Sequence, residues 1–175
     1  ANLRRNRLDN CHVIPAAVGA EEGTVTFARG LNGHVTPDGA DGIQVPVITL
    51  DRFAEQRGLS RVDFVKIDVE GFEADVLTGM KGLMSRPGKP VLYIEVHARG
   101  EYYNADPRKV CTILEEFYSN IRAYVSPDDF RARRGALGRV LSRVSPFEDL
   151  ERQCRVDLAE VKQHDDRRYQ LLCLP

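Results

Sequence analysis

Two hydrophobic rhythms alternate along the chain, a period near two and a period near 3.6, and they predict alternating strands and helices. Residues 3–8 (LRRNRL) read as the tail of a helix that Asp9 and Asn10 end. HVIPAAV, residues 12–18, reads as a buried strand running into Gly19. TVTF (24–27) and IQVPVITL (43–50) alternate as the strands of an antiparallel hairpin do. Gly30, Gly33, Gly39 and Gly42 fall in the connection between them, which is too long for a tight turn and is expected to act as a mobile lid. Thr49 is placed to cap a short helix, LDRFAEQRG, closed by Gly58.

VDFVKIDV (62–69) is the clearest strand, being dense in β-branched residues. After it Val76, Leu77, Met80, Leu83 and Met84 recur at helical spacing until Pro87 and Gly88 stop the pattern. PVLYIEVH (90–97) is almost continuously apolar, as expected of a strand buried on both faces of a parallel sheet. Asp106 and Pro107 open a helix as N-cap and first residue, with Val110, Ile113, Leu114, Phe117 and Tyr118 on its inner face. IRAYVS (121–126) and RYQLLCLP (168–175) read as strands. The stretch 128–165 reads as a mainly helical insertion. The alternation predicts a single α/β domain over 1–175 with a mostly parallel sheet.

The length of 175 residues suits one domain of ordinary size. The 25 basic and 26 acidic side chains leave a net charge of −1, which argues against a nucleic-acid partner. No apolar run approaches the roughly 18–20 residues of a membrane span, and no basic start followed by an apolar stretch marks a signal peptide. Cys11, Cys111, Cys154 and Cys173 are too far apart in sequence for a zinc ribbon or a redox dithiol. They read as buried free thiols, which fits a reducing cytoplasm.

In a parallel α/β sheet chemistry gathers at the carboxyl ends of the strands. That rule points to Asp68 and Glu70 after one strand and to Glu95 and His97 at the end of the next. A carboxylate such as Asp68 at a strand exit needs a partner or a solvent-filled cleft. Glu70 and Glu73 also suit a helix N-terminus simply through its dipole. Lys66 is expected to snorkel or to pair with a neighbouring acid. Glu95 and His97 share parity, so their side chains are expected on one face, opposite Asp68, where they could hold a divalent cation or act as acid and base.

The strings KIDVEGFE (66–73), VLTGM (76–80) and PVLYIEVH, preceded by AAVGAEEGTVTF (16–27) and TLDRF (49–53), resemble the FkbM family of S-adenosylmethionine-dependent methyltransferases. The resemblance covers about residues 1–125, with YQLLCLP as a terminal match. It implies a class I (Rossmann-like) methyltransferase fold, a mostly parallel sheet with helices on both faces and a last strand that is antiparallel. The chain opens at Ala1, and the first βαβ unit of that fold, with its glycine-rich turn, is expected to precede it.

The implied reaction is methylation of a hydroxyl on a sugar, polyketide or related small molecule or glycan. On this mapping Ala16, Ala17 and Val18 lie near the adenine, and Asp68 and Glu70 beside the methyl donor. Asp68 is the expected base. His97, oriented by Glu95, is the second choice, and Asp68, Glu95 and His97 holding Mg2+ is the alternative. His34 is expected to touch the acceptor from its glycine-rich loop. The basic amphipathic stretch 128–146, with Arg131, Arg133, Arg134, Arg139 and Arg143, is expected to contact the acceptor, a partner or an anionic membrane surface. Two other readings stay open: a nucleotide-binding α/β domain without methyl transfer, and an inactive truncated remnant.

Overall fold

The computed structural model describes residues 2–28, 42–102, 104–126 and 155–175. The expectations for the lid over 29–42, including His34, and for the basic stretch 128–146 lie outside the described residues, except for Gly42, which is the first residue of a strand. In chain order the elements are α1 (Asn2–Arg5), β1 (Ala17–Val18), β2 (Gly23–Ala28), β3 (Gly42–Ile48), α2 (Leu50–Gln56), β4 (Phe64–Ile67), α3 (Glu73–Thr78), α4 (Lys81–Met84), β5 (Val91–Val96), α5 (Pro107–Phe117), β6 (Asn120–Val125), β7 (Arg155–Val156), α6 (Leu158–Gln163) and β8 (Tyr169–Leu174). Among the described residues no helix is long and apolar enough to cross a membrane.

The described strands form two sheets. The smaller has the order β1–β3–β2, with β2 and β3 paired as the expected antiparallel hairpin. Only Ala17 and Val18 of the 12–18 segment are strand, and Val13 is exposed, so the expected long buried strand shrinks to two residues. They pair in parallel with Val47 and Ile48 alone, so Pro46, which has no N–H to offer, faces no partner strand on that side.

The larger sheet runs β4–β5–β8–β6–β7. β4 and β5 are parallel, whereas β8 lies antiparallel between β5 and β6, and β7 is antiparallel to β6. The expected mostly parallel sheet is therefore mixed. The cause is the last strand, which enters against the direction of both neighbours and turns two pairings antiparallel.

The expected burial of residues 90–97 on both faces also needs correction. Leu92, Ile94 and Val96 are fully buried, but Val91, Tyr93 and Glu95 between them are only half-buried. Tyr169, Leu171 and Cys173 on β8 register with the buried set. Helices α3, α5 and α6 pack against one another and against this sheet, and their Val76, Leu77, Val110, Leu114 and Val161 complete the core. Among the described residues the core thus lies on one face of the sheet, not on two.

The helical pattern after β4 is realised as two helices rather than one. All five predicted apolar residues are buried, but the helix breaks at Gly79 and Met80. Gly79 abuts the Gly19 carbonyl so closely that any Cβ there would collide with it. Its own carbonyl accepts from Asp51 N–H at 3.0 Å, and the Asp51 carboxylate accepts from Gly82 and Leu83 N–H at 2.7 Å each. These bonds cap α4 and tie α2, which follows β3, to the junction of α3 and α4. Thr49 and Asp106 cap α2 and α5 through their side chains as expected. Tyr118 then donates to the Pro90 carbonyl at 2.6 Å, tying the end of α5 to the entry of β5.

Candidate functional site

A cavity of about 550 Å³ opens where β1 and β2 of the smaller sheet meet the segment leaving β4. That volume is in the range of small-molecule sites. Ala16, Ala17, Val18, Val47, Phe27 and Phe72 supply apolar wall, and Asp68, Glu70 and Asp75 supply carboxylates. Asn104 donates to Asp75 at 3.2 Å on the same rim. Apolar walls beside negative charge suit a ligand with an apolar portion and a cationic portion.

The carboxylates are aimed by the turn between β4 and α3. Glu70 has φ 51, a conformation that costs a residue with a Cβ on the order of 1 kcal/mol or more. Gly71 follows with φ 96, and a Cβ on it would stand 2.6 Å from Cβ of Tyr102. The chain can therefore fold tightly against Tyr102 and Ala105 only with glycine here. Asp68, at the exit of β4, pairs with Lys66 at 2.7 Å while keeping part of its carboxylate exposed. That hydrogen bond is the main reason the Lys66 ammonium is held above its usual pKa.

Glu73 opens α3 and is fully buried. Its Oε1 accepts from Gly71 N–H at 2.9 Å and from His97 Nδ1 at 2.7 Å. A carboxylate only accepts, so Nδ1 carries the hydrogen and Nε2 is left to face Glu70. Nε2 stands 3.5 Å from Oε2 of Glu70. Burial by itself lowers the His97 pKa, but the hydrogen bond and charge of Glu73, followed by the charge of Glu70, outweigh it and raise the value overall. The Tyr102 ring meets the imidazole edge-on at 5.1 Å between centroids. Its hydroxyl is pushed up to about 12, chiefly by hydrogen bonding to Glu70.

Five of the sequence-predicted residues, Ala16, Ala17, Val18, Asp68 and Glu70, line the one cavity, although up to 54 positions separate them. His97 joins Asp68 and Glu70: one ligand atom from each lies within 4.8 Å of the other two. Glu95 does not belong to this group, so neither its expected role in orienting His97 nor its place in the Asp68, Glu95, His97 metal set fits the structure. The parity argument fails because β5 ends at Val96, after which the chain turns and His97 is buried directly beside a buried Val96. Glu95 stays half-buried, on the face that carries Tyr93, and its charge acts on Tyr93 and Lys66.

The residue that orients His97 is Glu73, for which the sequence suggested only a favourable place at a helix N-terminus. Tyr102 was missed altogether. The signal for Glu73 was its position as the first helical residue three places after Glu70, between Phe72 and Ala74, where nothing polar could shield it from the core. Nothing in sequence spacing marked Tyr102.

A family model described as Methyltransferase FkbM domain matches residues 2–136. No curated protein and no solved structure matches the chain.

Proposed function

From the premise that the chain belongs to the FkbM methyltransferase family, we propose that it transfers a methyl group from S-adenosylmethionine to a hydroxyl of a small molecule or glycan, a sugar or polyketide being the acceptor class. The observation that carries this reading is the single cavity joining Ala16–Val18 to Asp68 and Glu70. The apolar wall suits the adenine, and the carboxylates complement the positive charges of the sulfonium and amino groups. The run β4–β5–β8–β6, with β8 reversed, supports a class I methyltransferase fold for the carboxyl half of the sheet.

The donor supplies an electrophilic methyl carbon, and the protein supplies alignment and a proton acceptor. As the new O–CH3 bond forms, the CH3–S bond breaks and the hydroxyl proton passes to Asp68. Asp68 suits this role because it lines the cavity and is part-exposed to an incoming acceptor. His97 suits it less. It is almost wholly buried, with Nδ1 held by Glu73 and Nε2 turned to Glu70.

Calorimetric titration of the protein with S-adenosylmethionine tests the reading, with methyl transfer to a panel of polyols read by mass. Saturable binding is expected, weakened at least tenfold by Ala17→Phe without loss of fold. Failure of the donor to bind, with NAD or ADP binding instead, overturns it in favour of a nucleotide-binding domain.

A further inference from the structure

We propose that Asp68, Glu70 and His97 form a binding site for a divalent first-row transition cation of the Mn2+ type, with Glu73 as the residue that positions the imidazole. Ligand atoms at about 2.0–2.2 Å from an ion lie about 3–4.4 Å from one another. Three atoms already within 4.8 Å need only a small contraction, and the part-exposed Asp68 is free to supply it.

Two observations independent of that spacing point to a cation. Among the described residues Oε2 of Glu70 is buried without a hydrogen bond, and Nε2 of His97 stands 3.5 Å from it. A negatively charged oxygen left so is costly, and an ion between it and Nε2 of His97 satisfies both. The second is the state of His97 itself, 2% exposed, with Nδ1 engaged by a buried carboxylate and Nε2 directed at Glu70. A histidine that ligates a metal typically donates its other N–H to such a group, which fixes the tautomer and the ring.

One nitrogen and two carboxylates suit Mn2+ better than Mg2+ or Ca2+, which prefer oxygen alone, and no thiolate is present to select a softer ion. Asp68 and Glu70 line the cavity, so further coordination positions face the space a ligand would fill. If methyl transfer occurs there, a bound cation would lower the pKa of the acceptor hydroxyl, and the carboxylate oxygen of Asp68 not engaged with it would still take the proton. The binding itself does not depend on the methyltransferase reading.

The test is titration of chelator-stripped protein with Mn2+, following loss of the free-ion signal by electron paramagnetic resonance. One site is expected. Affinity falls at least tenfold in Glu70→Gln and His97→Ala and is unchanged in Glu95→Gln. Glu73→Gln, whose amide oxygen still accepts from Nδ1, stays within about threefold of the parent, whereas Glu73→Ala falls tenfold. Circular dichroism checks the fold of each variant, and Glu70→Gln, at a partly exposed side chain, decides the matter if His97→Ala does not fold. No uptake at millimolar Mn2+, or uptake indifferent to Glu70→Gln, overturns the proposal. Calorimetry with S-adenosylmethionine in chelator, run in parallel, shows whether donor binding survives that failure.

Discussion

Glu73 and His97, 24 positions apart, meet through a 2.7 Å hydrogen bond in which both side chains are almost wholly buried. The pair ties the first turn of α3 to the end of β5, and so holds together the two strand exits that carry the site. Its loss should be felt in stability before it is felt in chemistry. Removing one partner of a buried ionic pair typically costs about 3 kcal/mol or more, because the other is left uncompensated. Glu73→Ala is therefore expected to lower the unfolding free energy by about 3 kcal/mol in a urea titration. A change below about 1 kcal/mol would mean that the pair is not held as described.

Asp68 differs in kind, since it faces the cavity and contributes little packing. Asp68→Asn should reduce turnover by about 10²-fold, the scale of losing a general base or a charged ligand at the reacting oxygen. Donor affinity should change by less than about threefold. Near-normal turnover would remove Asp68 from the proton path. A second variant, His97→Gln, then asks whether the imidazole takes its place.

Gly71 and Gly58 both have positive φ, at 96° and 61°, but only Gly71 is crowded. Gly58→Ala should cost about 1 kcal/mol, the penalty of the left-handed conformation alone. Gly71→Ala should cost more, about 2–3 kcal/mol, because its Cβ must also displace Tyr102 from a 2.6 Å approach. Thermal unfolding of the two variants side by side measures the difference. Equal losses would show that Tyr102 yields freely.

Cys111 and Cys173 are free thiols in the core, and burial pushes both up to about 12 from 9.0. Their folded pKa exceeds the unfolded one, so their contribution to stability is intact below pH 9 and is lost as pH rises from 9 toward 12, where only the unfolded thiols ionise. The denaturation midpoint should fall between pH 8 and 10.5, and fall less in Cys111→Ala/Cys173→Ala. Peptide mapping after maleimide treatment at pH 8 should find exposed Cys11 modified and these two protected. Rapid native-state labelling of Cys111 or Cys173 would contradict their burial.

Much of the site was legible in the chain because local chemistry carries it. The string from Lys66 to Glu73 holds a strand exit, a glycine where φ must be positive, and acids where a helix begins, and each feature is a short-range property. The caps at Thr49 and Asp106 are of the same sort, a side chain bonding an amide three residues on. What was misread came from extending a local rule past its end. Period two holds only while the strand lasts, so parity placed Glu95 with His97 when the strand stops between them.

By itself the sequence determined the longer strands β2 to β6 and β8, the apolar positions that α3, α4 and α5 bury, the antiparallel β2–β3 hairpin and the identity of the acids at the β4 exit. These follow from hydrogen bonding and apolar spacing within about ten residues, where the chain has few alternatives. Tertiary structure alone decided that β8 enters between β5 and β6, that Gly79 lies against Gly19 where no Cβ fits, and that Glu73 rather than Glu95 holds His97. Those outcomes depend on which distant surfaces exclude water together. A buried carboxylate and a buried imidazole choose each other only once the core has closed around both.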